Sequence, residues 1–161
     1  MKYADARKEI KSGDVLAWTH NGIKSWADFE VFFVRLFQRS EYSHVGVAWV
    51  IGGRVFVLEA VGSGVRIFPL SMALHFYWIP IGVWSDVMET FAMAQVGASY
   101  SKWEAIRGFF GATRKDDKWQ CAEYTRMILE FGGIELECDT TPSGVVEALL
   151  NKDFSLKVVT A

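Results

Sequence analysis

The sequence predicts an α+β fold, an antiparallel sheet packed against helices on one side. Three observations predict it. Short apolar runs rich in β-branched residues crowd the chain up to about Val83. From Ser85 onward the apolar residues switch to helical spacing. No linker, internal repeat or low-complexity tract divides the 161 residues, so residues 1–161 are read as one domain, large enough to bury its own core.

Ser12-Gly13-Asp14 is a turn signal, and Val15 to Thr19 reads as a short strand that Asn21-Gly22 ends. Ser25 or Asp28 then caps a helix to about Gln38, with Trp26, Phe29, Phe32, Phe33, Leu36 and Phe37 on one stripe. Val45 to Ile51 and Arg54 to Ala60 flank Gly52-Gly53, the clearest hairpin signal in the chain. Gly62-Ser63-Gly64 leads into a strand from Val65 to Phe68. Phe76 to Val83 reads as a further strand with Pro80 at an edge or bulge.

Ser85 or Asp86 begins a helix that Gly97 ends. A second helical stretch covers about Lys102 to Phe110, and Gly111 to Lys118 is a charged loop. A third helix covers about Gln120 to Phe131 and stops at Gly132-Gly133. Thr141-Pro142 is an N-cap followed by proline at the first helical position, opening a helix to Leu150. Phe154 to Val159 closes the domain as a strand.

Composition removes several classes of function. The formal net charge is -2 and the basic residues are scattered, so no stripe suits a nucleic acid. Two cysteines and three histidines exclude a disulfide scaffold and a four-cysteine zinc site, and no cofactor or metal is expected. The 19 residues from Ile67 to Ser85 lack Asp, Glu, Lys and Arg. Pro69, Ser71, His75, Pro80 and Gly82 interrupt them, so no transmembrane segment is expected. Met1 to Gly13 is polar, without the apolar core of a signal peptide, which points to a cytoplasmic protein or one released by lysis, as a phage product is. Aromatic residues reach 15%, which suits either a dense core or rings lining a groove.

Three residues stand out as chemistry. Cys121 falls in the first turn of the third helix, where unpaired N–H groups and the helix dipole favour an anion. Such a site raises the thiolate fraction and supplies donors for an oxyanion. Taken alone, a free cysteine is more often a small core residue. His44 begins the first hairpin strand, and alone it reads as a strand-end histidine bonded to backbone. Glu59 is a charge inside the apolar run Val55 to Val61. If Gly52 and Gly53 form a two-residue loop, Glu59 opposes Gly46, and His44 is its diagonal neighbour at about 7–8 Å on the same face. Gly46 then leaves room for the carboxylate. An odd-length loop would flip this parity and leave Glu59 on a solvent-facing side. Cysteine, histidine and a carboxylate make a set in which Cys121 attacks, His44 moves its proton and Glu59 fixes the histidine tautomer. His20, His75 and Cys138 are read as core or surface residues.

These segments resemble a known family in order and spacing. Gly13-Asp14-Val15-Leu16 looks like its opening strand, Ser43-His44-Val45-Gly46-Val47 its histidine motif, and Val57-Leu58-Glu59-Ala60 its acidic third position. Ala94 to Tyr100 looks like its helix-end segment, Cys121-Ala122-Glu123-Tyr124 its cysteine motif, and Thr141-Pro142 its late Thr-Pro. Together they resemble the permuted branch of the NlpC-like, papain-fold cysteine peptidases and amidases, close to the YiiX/YebB-like group. Histidine and glutamate precede the cysteine here, which is the permuted order. Ala122 departs from the serine that relatives often carry, and the aromatic segments 26–37 and 76–84 match no motif.

The resemblance implies a papain-like core with the cysteine at a helix N-terminus, and a Cys121-His44-Glu59 triad working without cofactor or metal. It implies a substrate that is a peptide, a peptidoglycan fragment or an acyl compound. An acyltransferase or lipid-directed thiol hydrolase of the same fold is the alternative activity, with the aromatic helix near residues 26–37 as a membrane-surface contact. A non-catalytic binding module that kept the fold is the third reading.

Overall fold

The computed structural model describes residues 1–19, 42–98, 119–139 and 141–161. The helix expected at about 25–38, the stretch at about 102–110, the loop 111–118 and His20 lie outside the described residues. In chain order the elements are α1 (Tyr3–Glu9), β1 (Val15–Thr19), β2 (Tyr42–Ile51), β3 (Arg54–Val61), β4 (Gly64–Pro69), a 3-10 turn (Leu70–Met72), β5 (Phe76–Ile79), α2 (Asp86–Gln95), α3 (Trp119–Phe131), α4 (Pro142–Asn151) and β6 (Lys157–Val159). The strands form one six-stranded sheet in the order β4-β3-β2-β1-β5-β6. Every neighbouring pair is antiparallel, as the α+β reading requires.

The β2–β3 hairpin turns on Gly52 and Gly53, with φ of 56° and 72°. A two-residue turn that follows the sheet twist needs positive φ at both positions, which glycine adopts without strain. The ladder runs from Ile51 opposite Arg54 to Val47 opposite Leu58, so the loop is even and the predicted parity holds. Gly62 and Ser63 close the next hairpin, and Val61 pairs with Gly64. Pro80 lacks the N–H that a ladder needs, and β5 stops at Ile79, short of the expected Val83. The closing strand is also shorter than expected, since only Lys157–Val159 pairs with β5.

Both faces of the sheet are covered. On one face Val15, Ala17, Val45, Tyr77 and Ile79 pack with Leu129, Val145, Val146 and Leu149 of α3 and α4. Val47, Leu58, Ala60 and Val65 pack with Met88, Ala92, Tyr124 and Ile128 of α2 and α3. On the other face Leu16, Ala48, Val57, Phe76 and Trp78 pack with Ala6, Ile10 and Leu70. The expectation of helices on one side is corrected by α1. Its charged sequence hides a narrow stripe, Ala6 and Ile10 four residues apart, and the second sheet face is too apolar to face water.

Local signals fix the ends of the helices. Ser85 Oγ accepts from the Met88 N–H at 3.3 Å at the start of α2. Thr141 Oγ1 accepts from the Gly144 N–H at 3.0 Å, with Pro142 at the first position of α4. The Tyr124 hydroxyl donates to the Ala92 carbonyl at 2.8 Å and ties α3 to α2. Asp14, at the start of β1, is 2% exposed. It accepts from Trp78 Nε1, from the Lys11 N–H and from the Ile81 N–H, each at 2.9 Å. One buried carboxylate thus pins β1 to β5 and to the chain that follows it. Among the described residues no helix is long and apolar enough to cross a membrane.

Candidate active site

The site is built on the central strands. Glu59 projects from β3 with 5% of its surface exposed. Its position is set by the two glycine turns: one places it beside Gly46, and the other pairs it directly with Arg66 of β4. A β-carbon at Gly46 would lie 2.6 Å from Val57 Cγ2, 2.9 Å from the Leu58 carbonyl oxygen and 3.4 Å from Glu59 Cβ. Only glycine leaves this space open.

Both oxygens of the Glu59 carboxylate are engaged. Oε2 lies 2.6 Å from His44 Nε2. Oε1 accepts from Arg66 Nε at 2.7 Å and lies 2.7 Å from its Nη2. Burial alone would raise the carboxyl pKa, but hydrogen bonds and charges from His44 and Arg66 outweigh it and hold Glu59 below the usual carboxylate range. The three side chains therefore form a chain of charge-assisted contacts.

His44 lies in β2 opposite Trp18 of β1. The two rings are 5.5 Å apart and tilted by 44°. Trp18 is itself held by donation from Nε1 to the Ala73 carbonyl at 2.8 Å. The register slips beside them: Trp18 pairs with His44 and Thr19 with Tyr42, so Ser43 is an extra residue. The slip explains why Tyr42 and Val45, three apart, join the same core cluster. Such a bulge bends a strand and re-aims the side chains at it.

His44 takes Cys121 as a second hydrogen-bond partner. With Nε2 given to Glu59, Nδ1 is the ring nitrogen left for the thiol. Burial pulls the imidazole pKa down, but the hydrogen bonds and charges of Cys121 and Glu59 overcome this and push it up to about 9. The His44 side chain keeps 24% of its surface exposed, so the ring is reachable from solvent. Cys121 is the third described residue of α3, is 2% exposed and packs among Ala17, Val45 and Ala122.

His44 thus contacts both other residues that the sequence singled out. Arg66 was missed, although the same turn arithmetic reveals it: a two-residue Gly62-Ser63 loop puts Arg66 opposite Glu59. Of the remaining candidates, His75 is exposed and Cys138 half-buried against the helical core. Burial pushes the Cys138 thiol up, Arg126 opposes this, and Asp139 and Glu130 add to it. Among the described residues, no group of three or more His, Cys, Asp or Glu side chains is placed to hold a metal ion.

No family model matches the chain, and no curated protein matches it. Among solved structures it is similar to one described as metalloprotein yiiX from Escherichia coli O157:H7. The TM-score is 0.50 with 21% sequence identity, over 88% of this chain and 81% of that one. That neighbour carries the YiiX name of the group that the motif order resembles, and at this identity the match speaks for architecture alone: the chain shares the α+β fold of yiiX.

Proposed function

We propose that this protein is a cysteine hydrolase that cleaves an amide or peptide bond, built on a circularly permuted papain-like core. The observation that carries the reading is His44, hydrogen-bonded to Glu59 on one side and to Cys121 on the other. That is the arrangement a thiol nucleophile requires: a base beside it and a third group that orients the base. The order His44, Glu59, Cys121 along the chain supports the permuted form.

In this mechanism Cys121 Sγ, as thiolate, attacks the substrate carbonyl carbon. The Cys121 backbone N–H stabilises the oxyanion. The imidazolium of His44 gives its proton to the leaving amine as the carbon–nitrogen bond breaks, leaving a thioester on Cys121. Water, deprotonated by His44, then attacks the thioester and releases the acid and the thiol. Glu59 keeps Nε2 protonated and the ring in line throughout. Peptides of the bacterial cell wall are the substrate class that the family resemblance favours.

The neighbour's description as a metalloprotein does not transfer to this site. His44 Nε2 and both Glu59 oxygens are committed to one another and to Arg66, and among the described residues no group of three or more His, Cys, Asp or Glu side chains is placed to hold a metal ion.

The test is hydrolysis of peptidoglycan-derived peptides by the full chain, read by mass spectrometry. The wild-type protein is expected to cleave an amide bond and to carry a substrate-sized adduct on Cys121 in quenched reactions. Cys121→Ala is expected to abolish both. Cleavage that survives Cys121→Ala contradicts the reading.

A further inference from the structure

We propose that Arg66 is a positioning residue for this site: by gripping one oxygen of Glu59, it presents the other to His44. This inference rests on the thiol-hydrolase reading above. Three observations carry it. Arg66 pairs directly with Glu59 across the β3–β4 ladder. Its Nε and Nη2 both converge on Oε1 at 2.7 Å, and Oε2 is the oxygen 2.6 Å from His44. The guanidinium is steadied in turn by the Phe68 ring, 4.5 Å from its carbon.

The physical need is specific. A glutamate has three side-chain torsions, and its two oxygens are chemically equivalent. Held only by His44, the carboxylate is free to rotate and to offer either oxygen. Two donors on Oε1 remove that freedom, because a planar guanidinium accepts one orientation of its partner. Backbone hydrogen bonds to residues 97 and 98 brace the same strand: the Gly97 N–H donates to the Val65 carbonyl at 2.9 Å, and the Val65 N–H donates to the Ala98 carbonyl at 3.4 Å. Arg66 therefore projects from a supported strand although nearly half of its side chain is exposed.

Positioning and plain charge predict opposite signs. Arg66 is a cation near an imidazole. If it acted only through its charge, its removal would raise the His44 pKa or leave it unchanged. If it acts by aiming Glu59, its removal weakens the His44–Glu59 contact and lowers the His44 pKa. The groups acting on Glu59 are His44 and Arg66, and those acting on His44 are Cys121 and Glu59.

The experiment is a titration of the His44 ring nitrogens by 15N NMR, in wild type, Arg66→Ala and Arg66→Lys. Alkylation of Cys121 is measured beside it in the same proteins and in His44→Ala. For Arg66→Ala, we expect the His44 midpoint to move down and the share of the Nε2-protonated tautomer to fall. We also expect Cys121 alkylation near neutral pH to slow by about tenfold or more. Arg66→Lys, which keeps a charge and a donor, is expected to recover part of each. A His44 midpoint that stays or rises in Arg66→Ala overturns the proposal, whatever the thiol does. If the midpoint falls but His44→Ala leaves alkylation untouched, the aiming role stands and the thiol-hydrolase reading fails. Thermal melts of each variant confirm the fold, and Arg66→Lys supplies a folded comparison if Arg66→Ala is unstable.

Discussion

The Nε2 of His44 lies 2.6 Å from Oε2 of Glu59, although fifteen residues and a hairpin turn separate the two in the chain. The contact joins two strands whose register is set by Gly52 and Gly53, so the site inherits its geometry from a turn at the far end of the same hairpin. A change in that turn by one residue would place Glu59 on the opposite face of the sheet.

Stability should depend on pH through this pair, and the sign differs for its two members. His44 is raised from 6.5 to about 9, so its contribution is complete below pH 6.5 and disappears as pH rises through about 9. Glu59 is lowered from 4.5, so its contribution is complete above that value and is lost as pH falls below it. Thermal melts should therefore show both contributions in force between about pH 4.5 and 6.5. Glu59→Gln should flatten both flanks, and an unchanged profile in that variant would contradict the assignment.

Gly46→Ala should damage both stability and site. Its new methyl group meets Val57 Cγ2 at 2.6 Å and the Leu58 carbonyl oxygen at 2.9 Å, and neither is the free end of a flexible side chain. Overpacking of this kind costs about 1–3 kcal/mol, which a urea titration would resolve. The same variant should weaken the His44–Glu59 contact, because Glu59 Cβ is the next atom in the way.

Asp14→Ala should destabilise the fold without touching the chemistry. The buried carboxylate accepts from Trp78 Nε1 and from the backbone N–H groups of Lys11 and Ile81. Its removal leaves these donors, and the Gly82 N–H at 3.4 Å, with no acceptor in their place, at a cost of about 3 kcal/mol or more. Denaturant unfolding measures the loss, and the Cys121 alkylation rate of the still-folded variant should match wild type.

Thr141→Ala tests the start of α4. Thr141 Oγ1 caps the Gly144 N–H at 3.0 Å and donates to Asp139 Oδ1 at 2.6 Å. Loss of an N-cap costs about 1 kcal/mol. Chemical denaturation should report a change of that size.

Much of this geometry is legible in the residues because glycine and proline act locally. Gly52-Gly53 fixes the loop length and hence which residue faces Glu59, and Thr141-Pro142 marks the helix start to the residue. What escaped reading depended on tertiary context. The stripe of α1 is Tyr3 and Ala6, continued by Ile10 just past its end, too narrow to see among charges, and it is helical because a sheet face needs cover. The extra residue at Ser43 has no glycine to announce it, yet it re-aims the strand at His44. Arg66 reads as an ordinary exposed strand residue until the second hairpin is given the same register arithmetic as the first. The contact of His44 with Cys121 spans the sheet and a helix far along the chain, and the residue types and motif order foreshadowed the pairing without fixing its geometry.

The most direct measurement is the alkylation rate of Cys121 against pH, in a Cys138→Ala background, with and without His44→Ala. If His44 serves the thiol, the rate at about pH 6.5 should fall by about tenfold or more when His44 is removed. Equal rates in the two proteins across the whole pH range would contradict the central claim that Cys121 and His44 act as one unit.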